Sequence, residues 1–104
     1  MQILSELDSL QTLYITNSVI SSDDLTVISQ LPLLENLTMS GCYLSTIRNL
    51  AGATGLKYLD LSQNSIRDIS ALTGMTQLEY LDLSDNALIR LDDLSGLTLS
   101  LIHI

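Results

Sequence analysis

Four segments of this chain superimpose on one another: LQTLYITNSVI from Leu10, LENLTMSGCYL from Leu34, LKYLDLSQNSI from Leu56 and LEYLDLSDNAL from Leu78. Their starts lie 24, 22 and 22 residues apart, and a fifth copy, LSLIHI, begins 21 residues later at Leu99. Few folds accommodate such a period. One copy cannot bury its own apolar face, so successive copies must stack and share a continuous core.

Each copy alternates where it is most apolar. In the third, period two points Leu59 and Leu61 inward and Tyr58, Asp60 and Ser62 outward, which predicts a short strand with one wet face. Strands one period apart then run parallel. The remainder of each copy places apolar residues at threes, as in Leu25/Ile28/Leu31, Ile47/Leu50/Ala53, Ile69/Leu72/Met75 and Leu91/Leu94/Leu97, interspersed with Gly52, Gly55, Gly74 and Gly96. This spacing fits a tight 3₁₀ or short-helical return arc. The predicted fold class is therefore α/β: a solenoid with a curved parallel sheet of about five short strands, return arcs opposite, and the core between them. The strand segments fall near 10–20, 34–44, 56–66, 78–88 and 99–104 of a single domain covering 1–104.

Just after each strand the chain turns, and inward backbone groups lose their sheet partners. Asn64 and Asn86 stand there, with an amide that donates and accepts, and stacked copies make a structural ladder of the position. Cys42 and Ser18 fill it in the second and first copies and satisfy it less well, so the N-terminal copies are expected to be looser than the third and fourth. The segment SSDD between Ile20 and Leu25 makes the first copy two residues longer, which predicts an exposed loop bulging from that coil. Neither end shows a recognisable polar cap: Met1 to Leu7 reads as half a copy, and the chain closes on Ile102 and Ile104. The expectation is a piece of a longer solenoid, or an end covered by a partner or a second copy.

The copies share the form L-x-x-L-x-L-x-x-N-x-L and resemble the leucine-rich repeat family, over nearly the whole chain. IRDISALTGMTQLEYLDLSDNAL is similar to the 22-residue class found in protein phosphatase regulatory subunits and in bacterial internalins. The resemblance implies a non-enzymatic protein-binding module that uses the concave sheet face. Likeness to the phosphatase subunits implies an intracellular scaffold or regulator; likeness to the internalins implies a surface or secreted adhesion protein.

Composition narrows the partners. The 24 Leu and 10 Ile, with 46% of residues apolar and 15% charged, exclude a disordered chain. Twelve acidic against four basic residues give a formal charge of −8, which repels a phosphate backbone and argues against nucleic acid and anionic membrane. No apolar run approaches the roughly 18 residues that span a bilayer. MQILSELDSL lacks a basic region followed by an apolar one, so the chain as given reads as cytoplasmic, and as surface-exposed or secreted if it belongs to a longer protein.

Enzyme chemistry finds no footing in the pattern. A single cysteine, Cys42, and a single histidine, His103, support neither a disulfide framework nor a zinc site of paired thiolates, and no cofactor site emerges. Cys42 points inward from the second strand and His103 outward from the fifth, three spacings of about 4.8 Å away, too far for a nucleophile and its base. Asp60 and Asp82, about 5 Å apart, repel by under about 1 kcal/mol in water-like dielectric, so an open face tolerates both as solvated acids rather than as a catalytic or metal-binding pair.

Stacking places equivalent outward residues in rows. One row reads Gln11, Glu35, Lys57, Glu79, Ser100; the next Thr12, Asn36, Tyr58, Tyr80, Leu101; the central one Tyr14, Thr38, Asp60, Asp82, His103; then follow Thr16, Ser40, Ser62, Ser84 and Asn17, Gly41, Gln63, Asp85. Tyr58 and Tyr80 fall side by side next to the two aspartates. The acids Glu35, Asp60, Glu79, Asp82 and Asp85, less Lys57, leave a formal charge of −4 on the face, so the expected partner is a basic protein surface anchored on tyrosines. Tyr14 and His103 complete the candidate binding set, with His103 falling beside Asp82. Asn36-Leu37-Thr38 matches the N-glycosylation pattern, but a sugar there would obstruct this face. Arg48, Arg67 and Arg90 fall singly in the return arcs and form no phosphate site. The aliphatic Leu99 to Ile104 edge is a separate candidate surface for end-to-end association with another copy or another chain.

Overall fold

Where the sequence alternates, the backbone extends, and where apolar residues recur at threes it curls back. The computed structural model describes residues 8–97 and 101–104; the half-copy expected within Met1 to Leu7, and Leu99 and Ser100 of the fifth copy, lie outside them. Five strands follow in order: β1 (Thr12–Thr16), β2 (Asn36–Ser40), β3 (Tyr58–Asp60), β4 (Tyr80–Asp82) and β5 (Leu101–His103). They form one sheet, β1-β2-β3-β4-β5, with every neighbouring pair parallel. The return arcs of the second to fourth coils are 3₁₀ turns at Arg48–Leu50, Ser70–Leu72 and Asp92–Leu94. This is the leucine-rich solenoid architecture that the spacing predicts.

The first coil departs from expectation. SSDD does not bulge outward but opens an α-helix, α1 (Ser22–Ser29), which buries Leu25 and Ile28. Ser21 is extended, its hydroxyl accepts from the Asp24 N–H at 3.2 Å, and the Asp24 carboxylate accepts from the Ser21 N–H at 3.0 Å. This reciprocal capping box satisfies two N–H groups that a helix otherwise leaves open, and Asp23 and Asp24 oppose the positive end of its dipole. The two extra residues thus turn a single 3₁₀ turn into a short α-helix. Their signature was the Ser21-x-x-Asp24 spacing.

The strands turn by a shared device. Asn17, Gly41, Gln63 and Asp85, at equivalent positions, all take left-handed φ values of 55°, 65°, 59° and 58°. Asparagine, aspartate and glycine enter this region most readily. The next residue in each copy is the ladder residue, and the turn delivers the Cys42, Asn64 and Asn86 side chains inward, whereas Ser18 stays exposed.

Inside lies one aliphatic cluster running from Ile20 to Leu83, with Leu37, Met39, Leu50, Leu59, Leu61 and Leu72 fully shielded. Packing of this kind is worth roughly 2–3 kcal/mol per buried aliphatic side chain. Burial thins at both flanks, not only at the N-terminal one. Leu13 and Ile15 of β1 are half-buried, and the arc Asp92–Leu94 buries no residue, with Leu91 43% exposed before it. Among the described residues no helix is long and apolar enough to cross a membrane.

Candidate functional site on the open sheet face

The register assembles the rows read from the sequence. Thr12, Asn36, Tyr58, Tyr80 and Leu101 pair in succession, and so do Tyr14, Thr38, Asp60, Asp82 and His103. Period two sends both rows to the face away from the core.

At its centre the Tyr58 and Tyr80 rings stack, with centroids 4.4 Å apart and planes 3° from parallel. His103 meets Tyr80 edge-on at 6.1 Å and 63°. Burial within this stack, followed by the negative charge of Asp82 and by Tyr58, holds the Tyr80 phenol above its ordinary pKa, so it stays neutral. The rings are held, not free, which lowers the entropy that a partner must remove on binding.

The aspartates beside them divide their oxygens. Asp60 Oδ1 accepts from the Ser62 N–H at 2.9 Å, and Asp82 Oδ1 accepts from the Ser84 N–H at 3.0 Å and its hydroxyl at 2.7 Å. One oxygen of each therefore braces the end of its strand, as an Asx turn does. The Asp82 side chain is only 14% exposed, and its second oxygen is turned toward β5, where it lies 3.7 Å from Nδ1 of His103. Burial raises the Asp82 pKa, but the hydroxyl and N–H of Ser84, with His103, outweigh that cost and hold the carboxyl below its ordinary value. It is an anion at neutral pH.

The other candidates surround this pair. Glu35 forms an ion pair with Lys57 at 3.7 Å, both side chains about half exposed, which neutralises part of the charge read from the sequence. Glu79 and Asp85 are exposed, and Tyr14 stands 73% exposed on β1. Two outward residues are less wet than alternation predicts: Thr38 of the central row and Ser62 of the next are each 7% exposed. The hydroxyls of Ser40 and Ser62 lie 3.0 Å apart across adjacent strands. Asn36 donates to the Thr12 hydroxyl at 3.2 Å.

Behind the face, the ladder sets strand positions. Asn64 Oδ1 accepts from the N–H groups of Cys42 and Leu44 at 2.9 and 3.1 Å, and its NH₂ reaches the carbonyls of Met39, Leu61 and Ser62. Asn86 repeats this one coil on, accepting from Ile66 and donating to Leu61, Leu83 and Ser84. Cys42 is buried, with its thiol 3.5 Å from the carbonyls of Ile15 and Ser40. Ser18 is exposed and donates only to Thr16, two residues back.

The arginines are less scattered than their sequence positions suggest. Arg67 and Arg90 line one surface groove together with Asp68, Asp93, Ser70 and Ile89, while Arg90 also pairs with Asp92 at 2.8 Å. Acids and bases alternate around it, so it presents no net positive site. A second recess, lined by Asn17, Gly41, Tyr43, Gln63, Asn64 and Ser65, was not foreseen. Its signal was Gly41, a residue without a side chain in a row of amides and an acid. Among the described residues no group of three or more His, Cys, Asp or Glu is placed to hold a metal ion.

Comparison with known proteins agrees with this geometry. Residues 54–99 match a family model described as Leucine Rich repeats (2 copies). Internalin C2 from Listeria monocytogenes superimposes with a TM-score of 0.89 at 26% identity, covering 98% of this chain and 45% of that one. An internalin (inlF) from the same organism shares the fold, with a TM-score of 0.77 at 23% identity, covering 100% of this chain and 37% of that one. The chain thus spans less than half the length of these solved structures. A search of curated proteins gives no match.

Proposed function

From the premise that the chain is a leucine-rich repeat protein, we propose that it is a non-enzymatic binding module whose open sheet face takes a basic protein surface. The observation that carries this reading is the stacked Tyr58–Tyr80 pair in register with Asp60 and Asp82. Flat aromatic area supplies most of the affinity in such contacts, and adjacent carboxylates select a cationic partner and speed its approach. Glu79, Asp85 and Tyr14 extend the strip, Glu35 contributes through its pair with Lys57, and His103 closes it beside Asp82.

One setting is internalin-like, supported by the fold likeness to internalin C2, in which this chain supplies the binding repeats of the surface or secreted protein that the resemblance implies. An intracellular scaffold or regulatory subunit is the other setting consistent with the repeat class. End-to-end association is a further mode, since Leu101 and Ile104 are 50% and 61% exposed.

Capture from a native lysate with the wild type and with a Tyr58→Ala, Tyr80→Ala, Asp82→Ala triple variant tests the proposal, folding being checked by circular dichroism. The proposal expects one basic partner to be lost from the variant, and its capture by the wild type to weaken as salt rises. Equal capture by both proteins removes the open face as the site.

A further inference from the structure

At the turn edge of the sheet, away from the tyrosine strip, the left-handed row Asn17, Gly41, Gln63, Asp85 is interrupted by Gly41. A Cβ at Gly41 would lie 2.5 Å from Asn17 Oδ1, so the Asn17 amide leans into the space that a side chain would fill. Beside it lies an open recess of about 310 Å³, lined by Asn17, Gly41, Tyr43, Gln63, Asn64 and Ser65. Tyr43 stands at its rim, 75% exposed.

Tyr43 is itself unusual. Its φ is 57°, a conformation that a bulky residue rarely adopts, and the equivalent residues Val19, Ser65 and Ala87 do not share it. The ladder brackets it: Asn64 Oδ1 accepts from the N–H groups of Cys42 and Leu44, on either side of Tyr43. The ring is therefore presented on a clamped backbone. Strain held in place by surrounding hydrogen bonds marks a candidate functional position.

The chemistry of the lining defines the ligand. Every lining residue is uncharged, in a chain of formal charge −8. Asn64 is consumed by the ladder, whereas the Asn17 and Gln63 amides and the Ser65 and Tyr43 hydroxyls have no protein hydrogen-bond partner among the described residues. Two amides and two hydroxyls offer both donors and acceptors, beside one aromatic ring. An ion gains nothing here. A pyranose ring fits on each count, with hydroxyls that donate and accept, no charge, and a C–H face that lies against an aromatic ring.

We propose that the recess formed by Asn17, Gly41, Tyr43, Gln63 and Ser65 is a binding site for a neutral sugar, distinct from the Tyr58–Tyr80 strip. Titration of the full, isotope-labelled chain with the methyl glycosides of glucose, galactose and N-acetylglucosamine, followed by amide chemical shifts, tests this. At least one of them is expected to give saturable shifts confined to residues 17, 41, 43, 63 and 65 and their neighbours. Gly41→Asn restores the missing side chain in a residue type that tolerates the left-handed turn, and Tyr43→Ala removes the ring; each is expected to weaken binding by about tenfold or more. Gln63→Ala, at an exposed position, serves if Gly41→Asn does not fold. The Tyr58→Ala, Tyr80→Ala, Asp82→Ala variant is expected to bind the sugar unchanged. No saturable shift with any glycoside, shifts that persist undiminished in the recess variants, or stronger binding of an uncharged Gly-Ser peptide at the same residues would each overturn the proposal.

Discussion

The ladder position of the third coil and that of the first occupy the same place in the repeat, yet they do different work. Asn64 bonds across to the second coil through the N–H groups of Cys42 and Leu44 and the carbonyl of Met39, and back to its own coil through Leu61 and Ser62. Ser18 is exposed and reaches only Thr16. The polar joint between coils is therefore strong at the third coil and missing at the first. The joints made by Asn64 and Asn86 lie under β3 and β4, the strands that carry Tyr58, Asp60, Tyr80 and Asp82. These joints thus underlie the strip proposed for recognition.

Breaking the joint gives the largest expected effect. Asn64→Ala leaves inward backbone groups without partners, and by denaturant melting it is expected to cost about 3 kcal/mol, against less than about 0.5 kcal/mol for Ser18→Ala. Equal costs would erase the distinction between the two coils. Conversely, Cys42→Asn places the better ladder residue in the second coil, where its amide can meet the groups of the first. A gain of about 1 kcal/mol is expected, and it should appear as slower hydrogen exchange in β1. A loss would show that the smaller, apolar thiol is what packing at that position requires.

The first coil has its own device, and it is tested separately. Ser21→Ala removes the hydroxyl that accepts from Asp24 N–H, and a cost of about 1 kcal/mol is expected, with helical signal lost from α1. The smallest effect concerns acid. Asp82 has a folded pKa below its unfolded value of about 3.9, so the stability it contributes is fully present above that pH and is lost as pH falls through the folded value. Asp82→Asn should therefore flatten the acid limb of a stability–pH curve while leaving its shape above pH 6 nearly unchanged, apart from the contact with His103.

Much of this was readable in the chain because repetition multiplies weak signals. One L-x-L is ambiguous, but four in register specify a parallel sheet, its rows and its ladder before any coordinate is known. The side-by-side placement of Tyr58 and Tyr80 followed from the period alone; the stacking of their rings did not. What escaped was local and unrepeated. The Ser21/Asp24 capping box appears once, so the extra residues of the first coil read as a bulge when they are a helix. Thr38 and Ser62 alternate outward yet are nearly buried, which period alone does not report. The pairing of Arg67 with Arg90 around one groove, and the gap at Gly41 beside the strained Tyr43, depend on how arcs and turns of neighbouring coils meet. Periodicity assigns faces and leaves such meetings unspecified.

The central claim is that ladder-joined coils form the rigid platform presenting the tyrosine–aspartate strip. Native-state hydrogen exchange, resolved residue by residue, tests it most directly. The account predicts slowest exchange at Leu61, Gln63, Ser65 and Ile66, whose N–H groups bond to Asp82, Ser84, Leu44 and Asn86, and distinctly faster exchange through β1 and at Asn17. Uniform protection along the solenoid, or greater protection in β1 than in β3, would contradict it.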